Sequence, residues 1–269
     1  MRIGSKICWS GGCVAEDLSN HIVVVCENTG DAVVARGFGQ RVLLENIEWM
    51  RDLNSIEPEA LPTWGGLTAT MTFTSWVSIS RLYNDSSLPN IRSLEINGQP
   101  PEPDALTALK AFRLAEQVAP LAVVLLRDID AVDARRNGLA QARDKYQQTS
   151  LAPITCVIGL PDRYQEAWLL AGFQPRNPRE AKALADACRD LESVHPTREA
   201  HRLNGAQGEM RHAKTIWERL SNKNEARAEA CWTVTLLEDL HKHGVGCGLS
   251  AYLEEIRARV VPLLMAQSA

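Results

Sequence analysis

Short, continuous apolar runs alternate along this chain with longer stretches in which apolar residues recur every three or four positions. The first run, Ile22 to Cys26, is β-branched until its last residue and predicts a buried strand. After a turn, Val33, Val34, Phe38, Val42, Leu43 and Ile47 fall on one face of a helix, despite Gly37 and Gly39. "PDALTALKAFRLAEQV" (103–118) opens with Pro and Asp and then keeps helical spacing. It leads into "LAVVLLRDID" (121–130), a second buried strand that ends on acids. "ARRNGLAQARDKYQQ" reads as a helix, "PITCVIGL" (153–160) as a third strand, and "DRYQEAWLLAGF", after Pro161, as a further helix. Residues 54–103 follow neither period cleanly. There "TATMTFTSWVSISRLY" alternates enough for one or two strands, between flanks rich in Pro, Gly, Asn and Ser, so the segment reads as an irregular insertion holding a strand or hairpin.

Buried strands alternating with helices predict an α/β fold, with a mainly parallel sheet flanked by helices. The α/β core spans 21–176, with the insertion around 54–103. From 177 to 269 every segment is helical: "PREAKALADACRDLESV", "GEMRHAKTIWERLSN", "EARAEACWTVTLLEDLHKH" and "SAYLEEIRARVVPLLM". Their stripes (Leu184, Cys188 and Leu191, then Trp217, Leu220, Trp232, Leu236 and Leu237) need a partner surface, so this part is expected to pack on the core as a C-terminal helical layer.

Composition narrows the partners. The 269 residues are 45% hydrophobic and 23% charged, with a net charge of −4, which gives no bulk attraction to nucleic acid. A polyanion has to be held by a local basic patch, by metal ions or by a partner protein. No apolar run approaches the ~20 residues that span a bilayer, and the first twenty residues lack the continuous apolar stretch of a signal peptide. The seven cysteines are odd in number and scattered, with those at 26, 156, 188 and 231 in apolar surroundings, which reads as reduced thiols in a cytoplasmic protein. Cys8 with Cys13, and His241 and His243 with Cys247, are spaced so that either set could join a zinc site. Neither has a Cys-x-x-Cys pair, and the plainer reading is loop residues and small core fillers.

Acids fall where chemistry needs them. Ligands of a parallel α/β sheet bind outside the carboxyl ends of its strands. The first strand runs into Glu27, with Asp31 in the next turn; the second ends on Asp128 and Asp130; the third is followed by Glu166. Extended residues i and i+2 face the same way, so Asp128 and Asp130 can converge. One such acid alone is ordinary surface, a turn or a helix cap. Together on three successive strand ends they repel one another unless cations neutralise them, and hard oxygen ligands suit Mg²⁺ or Mn²⁺. The spacing does not choose between a phosphatase, a nuclease and a nucleotide-binding protein.

These residues resemble the Toprim fold, in the branch of the OLD-family nucleases and the small Toprim-like proteins of bacterial defence and mobile loci. There a strand ends in Glu-Gly-x-x-Glu/Asp, and here the stretch is Glu27-Asn28-Thr29-Gly30-Asp31. A later strand ends in Asp-x-Asp, matched by "LLRDID", and an acid precedes a Trp-Leu-Leu helix, matched by "QEAWLLAGF" with Glu166. "SVHPTREAHRL" and "RHAKTIWERL" are similar to further stretches of the family, with Arg198 where Lys is common and Lys214 as the downstream Lys. The resemblance covers about 21–220, with 54–103 unmatched. Asn28 replaces the usual Gly; as Asn tolerates left-handed backbone, the turn is expected to survive.

The resemblance implies a metal-dependent nuclease that hydrolyses phosphodiesters of DNA or RNA, with two Mg²⁺ or Mn²⁺ ions supplying the activated water and the Lewis acid. Glu27 and Asp31 would hold one ion, with Glu27 also moving a proton. Asp128 and Asp130 would hold or bridge the ions, Glu166 would complete the second site, and Lys214 would stabilise charge on the phosphate. It further implies an effector subunit of an anti-phage defence system acting with an ATPase partner, since this chain has no Gly-x-x-x-x-Gly-Lys-Ser/Thr motif. Two other readings stay open. One is a non-catalytic Toprim-like binding or assembly subunit; the other is a phosphatase or nucleotide-processing enzyme.

Overall fold

The structure, a computed structural model, describes residues 18–51, 61–68, 70–91, 100–129, 132–162 and 164–267. Asp130, Cys8 and Cys13 lie outside the described residues.

The chain folds as an α/β protein around a parallel sheet. Strand β1 (His21–Cys26) is central. It pairs on one side with β4 (Ala122–Leu126), which pairs in turn with β5 (Thr155–Gly159). On its other side β1 pairs with two short strands, β2 (Thr63–Gly65) beside Ile22 and β3 (Thr74–Ser75) beside Val25. All four pairings are parallel. The segment from 54 to 103 therefore contributes a broken edge strand and no hairpin among its described residues. β3 lies within the stretch expected to hold a strand, whereas the three residues of β2 carry too little alternation to be read from sequence. Beyond Ser75, the residues expected to continue as strand form a 3-10 turn (Trp76–Ser78) and helix α3 (Ile79–Asn84).

Alternate residues of the strands feed two cores. Ile22, Val24, Cys26, Val124, Leu126 and Val157 face helix α1 (Thr29–Asn46) and α6 (Glu166–Ala171). Val23, Val25, Val123, Leu125, Cys156 and Ile158 face α3, α4 (Ala105–Val118) and α5 (Asp133–Thr149). This doubly covered sheet explains why the strands read as unbroken apolar runs. A one-turn α2 (Glu48–Arg51) follows α1 and buries Met50.

The C-terminal helices are α7 (Pro178–Asp190), α8 (Ala213–Ser221), α9 (Glu229–Thr233), α10 (Leu237–Gly244), α11 (Leu249–Arg259) and α12 (Val261–Gln267). Residues of α7, α8, α10, α11 and α12 share the core cluster of α1 and α6. Two helices expected to be continuous are broken. The β-branched Thr233-Val234-Thr235 run interrupts the first, and the Thr235 hydroxyl donates 2.6 Å to the Gly172 carbonyl, holding the break. Pro262, which has no N–H, sits in the first turn of α12 and marks the second break after Arg259. Leu236, expected in a packed stripe, lies in the first break and is exposed. No helix among the described residues is long and apolar enough to cross a membrane.

Candidate functional site

The sheet order β2–β1–β4–β5 changes direction between β1 and β4. After β1 the chain moves one way, to β2; after β4 it moves the other way, to β5. A doubly wound sheet opens a crevice at such a switch point, outside the carboxyl ends of the two strands. Glu27 and Arg127 are the first residues past those ends.

Glu27-Asn28-Thr29-Gly30-Asp31 folds as a helix N-terminus. Asn28 is the cap of α1, in extended conformation with φ −148° and ψ 174°, so this position needs no left-handed residue. Its Oδ1 accepts the Asp31 N–H at 3.1 Å, and Asp31 Oδ2 accepts the N–H groups of Asn28 and Glu27, both at 3.2 Å. This capping box buries Asp31, only 5% exposed. Burial, aided by the charge of Glu166 and opposed by the Asn28 hydrogen bonds, pushes its carboxyl up to about 6. Burial and the nearby Asp31 push the Cys26 thiol up to about 12, which removes it as a thiolate nucleophile.

Glu166 is the first residue of α6, half-buried and close enough to Asp31 to act on its proton affinity. The Gln165 side chain lies over Gly30, with its Nε2 2.7 Å from where a Cβ would stand, so a side chain at 30 would push the Gln165 amide aside. Gln165 Oε1 is buried with no hydrogen-bond donor.

The second strand ends earlier than its acids. β4 stops at Leu126, and the next residues run alongside the exit from β5 through Arg127 N–H to Gly159 O (3.1 Å) and Ile129 N–H to Pro161 O (3.1 Å). Pro161 has no N–H to return, so the ladder goes no further. Asp128 is half-buried there, and Arg135 donates to its backbone carbonyl at 3.0 Å. Lys214 is exposed in the first turn of α8, two residues after His212. The His212 ring packs on Tyr164 with centroids 4.6 Å apart, which brings the start of α8 to the loop just before Glu166. Arg198 is exposed beyond α7.

Arginine is what the acid-centred reading missed. Glu27 is ion-paired with Arg127, and Arg127 Nε lies 3.1 Å from Asp104 Oδ2. The signal was present in "LLRDID", where a cation stands between a strand end and its acids.

The donor set fits a hard cation in part. Asp31 and Glu166 are oxygen donors near one another, with the orphan Gln165 oxygen on the neighbouring residue, and a cation between the carboxylates would relieve the cost of ionising Asp31. Among the described residues, no three His, Cys, Asp or Glu side chains meet as a ready metal-holding group. Cys247, of the candidate zinc set, is a buried core residue whose thiol burial pushes up to about 12.

No family model matches this chain, and no curated protein or solved structure matches it.

Proposed function

We propose that this chain is a divalent-cation-dependent nuclease of Toprim-like design, hydrolysing phosphodiester bonds of DNA or RNA at the crevice between β1 and β4. The observation that carries this reading is the approach of Asp31 and Glu166, from two helix N-termini, where the charge of Glu166 opposes ionisation of Asp31. Carboxylates gathered in this way are costly without a cation. Asp31 and Glu166, with Gln165 Oε1, would hold one Mg²⁺ or Mn²⁺; Asp128 with Asp130 would hold a second. Bound there, such ions supply an activated water and a Lewis acid for the phosphoryl oxygens. Glu27, half-exposed at the mouth, moves the proton of the attacking water, and Lys214 approaches the phosphate from α8. The net charge of −4 makes binding to a polyanion depend on those ions. The nuclease acts in the cytoplasm as an effector of anti-phage defence, with an ATPase partner, as the motif resemblance implies.

A cleavage assay on labelled DNA and RNA tests this. Cutting is expected with Mg²⁺ or Mn²⁺, lost in EDTA and lost in Asp128→Asn, while Glu27→Gln costs turnover at least as much. Full activity in EDTA or in Asp128→Asn contradicts it. Phosphate release from small esters with no cut polymer points to a phosphatase instead.

A second reading, a non-catalytic binding or assembly subunit, is favoured by one observation: the Glu27 carboxylate is already engaged by Arg127. It predicts no thermal shift with metal and no cut product.

A further inference from the structure

Beside its acids the crevice holds two arginines with an unusual support. The backbone of Arg127 is fixed by its N–H bond to Gly159, and its guanidinium lies 5.3 Å over the ring of Trp76. Its Nη1 pairs with Glu27, while its Nε donates to Asp104. Arg135 Nε lies 3.8 Å from the same Asp104 oxygen. Asp104 precedes α4 in the left-handed region, with φ 68° and ψ −12°, and its side chain makes no capping bond. The carboxylate is spent on the arginines instead. Gly138 of α5 makes this arrangement possible: any side chain there would collide with the Pro103 carbonyl, so glycine lets the turn carrying Asp104 press onto α5.

The two limbs of this network differ in depth. The side chains of Asp104 and Arg127 are 16% and 14% exposed, whereas that of Glu27 is 41% exposed. An ion pair with a solvated end is worth little and opens readily. The Asp104 limb, inside, keeps the guanidinium aimed whether or not Glu27 is on it. We propose that Arg127 is a phosphate-binding residue of the crevice, aimed by Asp104, and that Glu27 occupies it only while the crevice is empty. Opening the Glu27–Arg127 pair exposes the Glu27 carboxylate and the outer edge of the guanidinium together. The planar guanidinium suits the oxygens of a phosphodiester, and the freed carboxylate suits a cation. Cation and nucleic acid therefore load together, because each removes the competitor that the other faces. This rests on reading the crevice as a cation-dependent phosphodiesterase site.

Isothermal titration of the full chain with Ca²⁺ and a short oligodeoxynucleotide tests the idea. The oligonucleotide is expected to tighten Ca²⁺ about tenfold, and Ca²⁺ to tighten the oligonucleotide by the same factor, as linkage requires. Glu27→Gln releases Arg127, so in EDTA it binds the oligonucleotide about fivefold tighter than wild type, a gain that misfolding cannot produce. Arg127→Gln abolishes the coupling and weakens oligonucleotide binding in Ca²⁺ about tenfold, with partial recovery in Arg127→Lys. Unchanged or weaker metal-free binding in Glu27→Gln overturns the proposal, as does wild-type behaviour of Arg127→Gln. If wild type takes no Ca²⁺ while Glu27→Gln still gains affinity, the cation reading falls and the role of Arg127 stands.

Discussion

Trp168 of α6 and Tyr252 of α11 stack with ring centroids 4.9 Å apart and planes 24° apart, joining the helix that follows β5 to one near the end of the chain. Both are fully buried. Trp168 Nε1 donates 2.8 Å to Cys247 O, and Tyr252 Oη donates 2.7 Å to Ala35 O in α1. The C-terminal helices thus complete the layer on this face of the sheet. Trp168→Ala is expected to cost about 3–5 kcal/mol by cavity formation. Tyr252→Phe, which removes this second hydrogen bond to a helix carbonyl, is expected to cost about 0.5–1.5 kcal/mol. Denaturant unfolding measures both. A fragment 177–269 that melts cooperatively by itself contradicts this account of the layer.

Asp31 predicts a pH dependence of stability. Its carboxyl is raised from 3.8 to about 6 in the folded protein, so the folded state holds the proton more tightly. Stability from this group is therefore full below the unfolded value and falls as pH rises through the folded one. Asp31→Asn keeps a side-chain acceptor for the cap and removes the buried charge. Its melting temperature should match wild type near pH ~4 and exceed it above pH ~7, and Mn²⁺ should close the gap by raising wild type alone. Equal melting curves across this range contradict the buried charge.

Gly248 couples the C-terminal layer to the crevice. It has φ +84°, and a Cβ there would strike the Leu160 carbonyl in the loop that leads to Glu166. Gly248→Ala should cost at least about 1 kcal/mol for the backbone alone. The displaced loop should also weaken Mn²⁺ binding. Unchanged metal affinity in a destabilised variant would show that the loop and Glu166 move independently.

Lys214 separates chemistry from packing. It is exposed on α8, so Lys214→Ala should change stability by no more than about 0.5 kcal/mol. As a group that stabilises charge on the phosphate, its loss should lower cleavage about 100-fold. Wild-type cleavage in this variant returns Lys214 to the solvated surface.

The sheet was legible in the sequence because its long strands are buried on both faces and read as unbroken apolar runs. Of the edge pair, β3 falls inside the stretch expected to hold a strand, while β2 lies outside it and is too short to show a period. The acids at 27, 31 and 166 were legible as strand-tip residues, but a capping box and a metal ligand ask for a carboxylate at the same position, so the burial of Asp31 could not be read. Asp104 looked like a helix start, and only the fold brings it beside Arg127, 23 residues away. The break at Thr233–Thr235 was signalled by β-branched residues within an otherwise helical pattern.

Calorimetric titration of Mn²⁺ into wild type and Glu166→Gln tests the cation site most directly. Glu166 lies near enough to Asp31 to raise its proton affinity, so a hard cation should bind wild type near neutral pH with clear heat. Glu166→Gln should weaken it at least about tenfold, the loss that removing even an outer supporting group can cause, while melting as cooperatively as wild type. Heats of wild type indistinguishable from dilution, or equal affinity in the two proteins, would contradict a cation site at this crevice.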